Sequence, residues 1–234
     1  MHESLIHLIL FVVKTQQDYV YEWASRSDSY LGRLMDGYDL KNHGECSFCD
    51  SEASWRCLTC TGTPLFCCLC CRQEHRYNAL HRIQYWVGNY FTDDWLYNLG
   101  VCIHLGHQGS ECPKAMSGIN SQHLLEGPVD DLYASPSCIR DVPDDGYSVT
   151  VGHVNGVHKI WIKSCHCNGR EAEDLHLMES RLFPLSFKTV QSAFTFELLD
   201  DFRLDNLECK VAAYHYYKKL RRVTSPIFPD AVPV

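Results

Sequence analysis

The chain has 234 residues, 45% hydrophobic and 12% aromatic, a composition typical of folded proteins rather than disordered ones. Its formal net charge of −8 argues against a protein that coats nucleic acid through a general basic excess. The longest apolar run, "LIHLILFVV", is too short to cross a bilayer and lacks the basic start of a secretory signal, so we expect an intracellular chain without membrane contact.

The first predicted element is a single helix in "DYVYEWASRSDSYLGRLMDGY", ending near Gly37. Its side chains at helical spacing are Val20, Trp23, Ser27, Tyr30 and Leu34. We expect this helix to belong to an N-terminal lead, residues 1–42, and to pack on or lead into the region that follows.

The next segment, "CSFCDSEASWRCLTCTGTPLFCCLCCRQEHRYNALH", concentrates cysteines and histidines. Cysteines separated by two residues let both thiolates reach one tetrahedral ion, whereas a disulfide framework has no use for the histidines. In a cross-braced arrangement, the first and third pairs share one Zn²⁺ and the second pair shares another with the histidines. The predicted ligand sets are Cys46, Cys49, Cys67 and Cys70, and Cys57, Cys60, His75 and His81.

The register of the third pair stays open, because Cys68 and Cys71 are also two residues apart and could replace Cys67 and Cys70. Closed sets of four Cys or His ligands are usually structural, since they leave no coordination position for water. The spacing resembles a B-box type zinc finger and does not fit the ligand order of a RING finger. We assign this double zinc module to residues 43–85.

A second, split cluster follows, and it predicts a possible third zinc ion. The segment "YSVTVGHVNGVHKIWIKSCHC" predicts a β hairpin, with Asn155 and Gly156 as the two positive-φ residues of a tight turn. Side chains two apart in an extended strand share a face, so the two hairpin cysteines could bind one ion. The loop "VCIHLGHQGSECP" supplies the partners, with His104 as an alternative to His107. The predicted third set is His107, Cys112, Cys165 and Cys167.

The remaining segments predict a long surface loop at residues 126–146 and two C-terminal helices, in "SAFTFELLDDF" and "LDNLECKVAAYHYYKKLRRVT". Asp205 is a plausible N-cap of the second helix, and "KKLRR" is better explained as a solvated helix end than as a nucleic-acid patch. The predicted apolar stripes are Phe194, Leu198 and Phe202, and Leu207, Val211, Tyr214 and Tyr217. The expected fold class is α+β, with residues 86–234 forming a zinc-stapled hairpin lobe and its helices.

Together these motifs resemble the second class of CxC-type cysteine cluster, which precedes the catalytic core in fungal KDZ (Kyakuja–Dileera–Zisupton) transposases. The matching stretches are "WRCLTCTGTPLFCCLCCRQEHRYNALHRIQYW", "LGVCIHLGHQGSECP", "VNGVHKIWIKSCHCNG" and "RLFPLSFKTVQSAFTFELLDDFRLDNLECKVAAYHYYKKLRRVTSPIFPDAVP". The resemblance implies a nuclear location. It implies zinc ligation at Cys57, Cys60, Cys67, Cys70, His75 and His81, and a role for His107, Cys112, Cys165 and Cys167.

The resemblance implies a non-catalytic zinc-binding module, because the sequence reaches "FPDAVPV" where such a transposase would continue into its nuclease core. Truncated or stand-alone, this module would contact transposon DNA, or a transposase or host protein, in an oligomeric state that the sequence leaves open. The alternative is a zinc- or thiol-dependent enzyme. Against it, the His-Glu-x-x-His pattern of zinc hydrolases and the deaminase combination of His-x-Glu with Pro-Cys-x-x-Cys are missing.

Overall fold

A computed structural model describes residues 14–38, 44–113, 146–165, 167, 173–186 and 189–232. Helices and two separate sheets give the α+β fold that the sequence predicts. The chain divides into two units, Met1–His43 and Gly44–Val234. Except for Gly146, the predicted surface loop at 126–146 lies outside the described residues.

The first unit contains two helices, α1 (Gln16–Ala24) and α2 (Ser27–Asp36), so the prediction of one continuous helix was wrong. The helix is interrupted because two serine hydroxyls bond to backbone carbonyls at this point. The hydroxyls of Ser25 and Ser27 donate hydrogen bonds of 2.8 and 2.9 Å to carbonyls in the last turn of α1. Such local bonds compete with continuation of the helix. The second helix ends at Gly37, as expected.

The second unit begins with a four-stranded antiparallel sheet in the order β2-β1-β3-β4, with helix α3 following β2. The elements are β1 (Trp55–Cys57), β2 (Leu65–Phe66), α3 (Cys68–Glu74), β3 (Ile83–Trp86) and β4 (Phe91–Asp94). Trp55, Phe66 and Ile83 are almost completely buried in the core of this module. This core is small, because the strands are short and only a few helix and loop residues, such as Cys71 and Leu99, add to it.

A five-stranded sheet follows, in the order β5-β7-β6-β9-β8. Its strands are β5 (Cys102–His104), β6 (Tyr147–His153), β7 (Gly156–Lys163), β8 (Leu182–Pro184) and β9 (Ser192–Thr195). The antiparallel β6–β7 pair confirms the predicted hairpin, while β5 pairs with β7, and β9 with β6, in parallel. Helix α4 (Glu173–Glu179) places Leu177 in the core formed by alternating β6 and β7 side chains.

The hairpin turn is shifted by one residue from the prediction. His153 pairs with Gly156, so the central turn residues are Val154 and Asn155, and neither has a positive φ. Gly156 has a φ of 141°, and a Cβ built there would lie only 3.0 Å from the Thr224 hydroxyl oxygen. Glycine therefore stands at this position because the chain approaches Thr224 closely.

Two long helices end the second unit, α5 (Phe196–Cys209) and α6 (Ala213–Thr224). The prediction of Asp205 as an N-cap was wrong, because it lies inside α5. The second helix, α6, instead begins after Ala212, which provides no side-chain cap, whereas α5 is capped by Thr195, whose hydroxyl accepts the N–H of Leu198 at 3.2 Å. Of the predicted stripes, Phe194, Leu198, Phe202, Val211 and Tyr217 join the third apolar core, whereas Leu207 and Tyr214 are exposed.

Candidate metal sites

The first cluster joins a loop to the start of α3. The predicted set Cys46, Cys49, Cys67 and Cys70 has all its sulfur atoms within 4.8 Å of one another. The Cys49 sulfur lies 3.6 Å from both the Cys67 and the Cys70 sulfur. Cys67 is the N-cap of α3, and its sulfur accepts the N–H of Cys70 at 3.5 Å. A two-residue spacing thus places both sulfurs on one side of the first helical turn.

These separations have the size of a tetrahedral metal site. With Zn–S bonds of about 2.3 Å, neighbouring sulfurs of a tetrahedron lie about 3.8 Å apart, whereas a disulfide needs about 2.05 Å. The nine cysteines of the three clusters are all free thiols. The geometry therefore fits metal ligation and excludes disulfides among these residues.

The second cluster lies at the edge of the module core and comprises Cys57, Cys60, His75 and His81, with ligand atoms within 4.8 Å. The Cys60 sulfur lies 3.5 Å from His75 Nε2 and 3.3 Å from His81 Nδ1. The Cys57 sulfur lies 3.5 Å from His81 Nδ1. A tetrahedral zinc ion predicts about 3.6 Å for such sulfur–nitrogen pairs, so the fit is close.

Cys71 supports this cluster without belonging to it. Its backbone carbonyl accepts a 2.7 Å hydrogen bond from His75 Nδ1. That bond leaves the Nε2 lone pair of His75 facing the two cysteines, as metal-binding histidines require. Sequence analysis missed this role, although the four-residue spacing of Cys71 and His75 on one helical turn could have indicated it.

Charge crowding in the second cluster also favours a cation. Burial opposes ionisation of Cys57, but hydrogen bonds with His75 and His81 hold its pKa well below the usual range, at about 5. Burial, together with the hydrogen bond with Cys57, raises the pKa of Cys60 to about 11. One thiolate thus keeps its neighbour protonated, and a divalent ion would let both ionise.

The third cluster exists because β5 and β7 run in parallel and end side by side. Its ligand atoms also lie within 4.8 Å, with His107 Nε2 2.9 Å from the Cys165 sulfur and the Cys112 and Cys167 sulfurs 3.3 Å apart. Both hairpin cysteines lie beyond the end of β7 rather than in an extended strand, so the predicted reason for their proximity was wrong. Instead, the Cys167 N–H donates to the Cys165 sulfur at 3.3 Å.

The alternative ligand His104 lies outside the third cluster. Its Nε2 faces a carboxylate oxygen of Glu111 at 3.9 Å. Gly106, which sequence analysis missed, lets the His107 loop approach Cys165. A Cβ at Gly106 would lie 2.9 Å from the Cys165 Cβ, and its φ of 74° with ψ of −178° is a glycine conformation.

Part of the Gly44–Val234 unit matches a known protein family. Residues 133–227 match the family model of the CxC2 like cysteine cluster associated with KDZ transposases. This match confirms the resemblance to the CxC2 cysteine cluster over residues 133–227, whereas the first two of the four quoted stretches lie before it. Comparisons with the curated proteins and with the solved structures found no match. None of the helices in the described part of the chain is long and apolar enough to cross a membrane.

The CxC2-like stretch is bound to the second cluster through the residues next to His81. Asn155 in the hairpin turn donates from its side-chain amide to the Leu80 carbonyl at 2.9 Å. Arg82 donates to the carbonyls of Val223 and Thr224 at the end of α6, the latter at 3.0 Å. The CxC2-like stretch therefore packs directly on the loop that supplies a candidate ligand of the second cluster.

Proposed function

We propose that this chain is a zinc-stabilised, non-catalytic module of the KDZ transposase type, acting in the nucleus by contacting a protein partner. The observation that carries the proposal is the arrangement of Cys and His into three sets of four. Sets of thiolates, alone or together with imidazole, at tetrahedral separations are typical of Zn²⁺.

The closed coordination supports a structural role. Each set offers four protein ligands, so a tetrahedral ion would have no position left for water or substrate. Structural Zn²⁺ contributes about 10–16 kcal/mol in small zinc-finger peptides, comparable to the whole stability of a typical domain. A module with such short strands buries little apolar surface, so we expect its free energy of folding to depend on this contribution.

The charges favour a protein partner over DNA. Two of the four basic residues near the end of α6 are engaged within the chain: Lys219 contacts Asp205 at 2.8 Å and Arg221 contacts Asp230 at 3.1 Å. Releasing counterions from DNA requires free basic side chains facing the phosphates. With a formal net charge of −8, long-range attraction to DNA is unfavourable as well.

Metal content tests the structural part of the proposal. Elemental analysis of the chain purified without chelators should give three Zn²⁺ per chain, and Cys60→Ser should reduce this to two. Cys209→Ser is the matched control, because this exposed cysteine lies outside the three clusters. Three ions in Cys60→Ser, or none in the wild type, would refute the assignment.

A mobility-shift titration with mixed-sequence duplex DNA tests the partner class. We expect no shift at micromolar protein and physiological salt. Tight binding with a steep salt dependence would show that DNA, rather than protein, is the partner.

A further inference from the structure

The first unit exposes an unusual amount of apolar surface. No residue of α1 or α2 is buried. Within residues 14–38, nine large apolar side chains are each 44% to 65% exposed: Tyr19, Val20, Tyr21, Trp23, Tyr30, Leu31, Leu34, Met35 and Tyr38. We call this surface the α1–α2 face.

On α2 the apolar side chains are organised rather than scattered. At about 100° per residue, Tyr30, Leu31, Leu34 and Met35 project within an arc of about 140° on α2. The charged residues Asp28, Arg33 and Asp36 lie outside that arc. A helix patterned this way normally turns its apolar side towards a core.

The two helices are also too short to be stable alone. They have 9 and 10 residues, whereas isolated helices below about 12–15 residues are marginal in water. Thr15 and Asp18 form a capping box at the start of α1, but a cap contributes only about 1 kcal/mol. Burial of the apolar face must supply the rest.

We propose that the α1–α2 face is the interface of a homodimer, covered by the same face of a second copy. Without Tyr21, which projects from the side of α1 opposite to Trp23, the remaining eight side chains still offer on the order of 1,000 Å², and a stable interface needs about 800 Å² from each partner. Residues 14–38 carry three basic and four acidic side chains, so two copies meet without strong repulsion. This near-neutral balance disfavours an anionic membrane or DNA as the occupant.

Sedimentation velocity on the full chain across a micromolar concentration series tests the proposal. We expect a dimer of about twice 26.9 kDa for the wild type. The double variant Leu31→Glu/Leu34→Glu should raise the dissociation constant at least about 100-fold, because it buries two carboxylates at the centre of the interface. Its metal content should equal that of the wild type, which separates this result from misfolding.

The matched control is Leu204→Glu/Leu207→Glu on α5, where two leucines with the same spacing are 53% and 54% exposed. It should dimerise like the wild type. A wild type that stays monomeric throughout the series, or a Leu31→Glu/Leu34→Glu variant that dimerises with unchanged affinity, would overturn the proposal. Loss of the dimer in the α5 control would place the interface on the second unit and overturn it as well.

Discussion

Replacing Gly106 with alanine should weaken metal binding at the third cluster without removing a ligand. The backbone there has φ 74° and ψ −178°, a region that costs an L-residue about 1–3 kcal/mol. The new Cβ would also lie 2.9 Å from the Cys165 Cβ, and such overpacking costs about 1–3 kcal/mol. A combined cost of about 4 kcal/mol corresponds to a loss of about 1,000-fold in affinity for the third ion.

The assay is a competition titration against a chromophoric zinc chelator, in which the third ion of the variant should leave at far lower chelator concentration. Gly109→Ala is the control, because Gly109 also has a positive φ, 83°, but a Cβ there would touch only the Tyr77 ring at 4.0 Å. If Gly106→Ala releases its ions like the wild type, or Gly109→Ala loses the third ion equally, the steric argument is refuted.

Three further changes test how the second unit is held together, each measured by urea unfolding. Arg82→Ala should lower the free energy of unfolding by about 2–4 kcal/mol, since it leaves the carbonyls at the end of α6 without a charged donor; an unchanged midpoint would contradict this. Gly156→Ala should cost about 1–3 kcal/mol because of its φ of 141° and the nearby Thr224, and a neutral result would refute that contact. Burial lowers the pKa of His158 to about 3, so its contribution is present above pH 6.5 and is lost as the pH falls towards 3. His158→Leu should therefore show a shallower loss of stability below pH 6.5 than the wild type, and equal slopes would refute it.

Spacing alone was enough to group the candidate ligands, because the knuckles are local. Cys67 and Cys70 lie on one helical turn whatever the rest of the chain does, and the cap geometry brings their sulfurs together. The alternative pair, Cys68 and Cys71, could not be excluded from spacing. Which of the two pairs can bind the ion depends on which side of α3 faces the core. The structure buries Cys71 completely in that core.

The helix boundaries failed for a different reason. Nothing local distinguishes Asp205 from an N-cap, but Thr195, at the end of β9, caps a helix that continues past Asp205 to Cys209. The parallel pairing of β5 with β7 could not be predicted either, because it joins strands separated by more than forty residues of chain. Such pairings depend on long-range contacts that periodicity does not encode.

The residues that match the family model do not include all the candidate metal ligands, and this bears on how the Gly44–Val234 unit folds. The matched residues, 133–227, include Cys165 and Cys167 but not His107 and Cys112, which complete the same cluster. They also include the end of α6, whose carbonyls are held by Arg82 from outside the match. Half a ligand set cannot close a tetrahedral site, and an uncapped helix end loses charged hydrogen bonds. The matched segment is therefore a part of the larger Gly44–Val234 unit, and its candidate ligand set is completed only by residues that precede it in the chain.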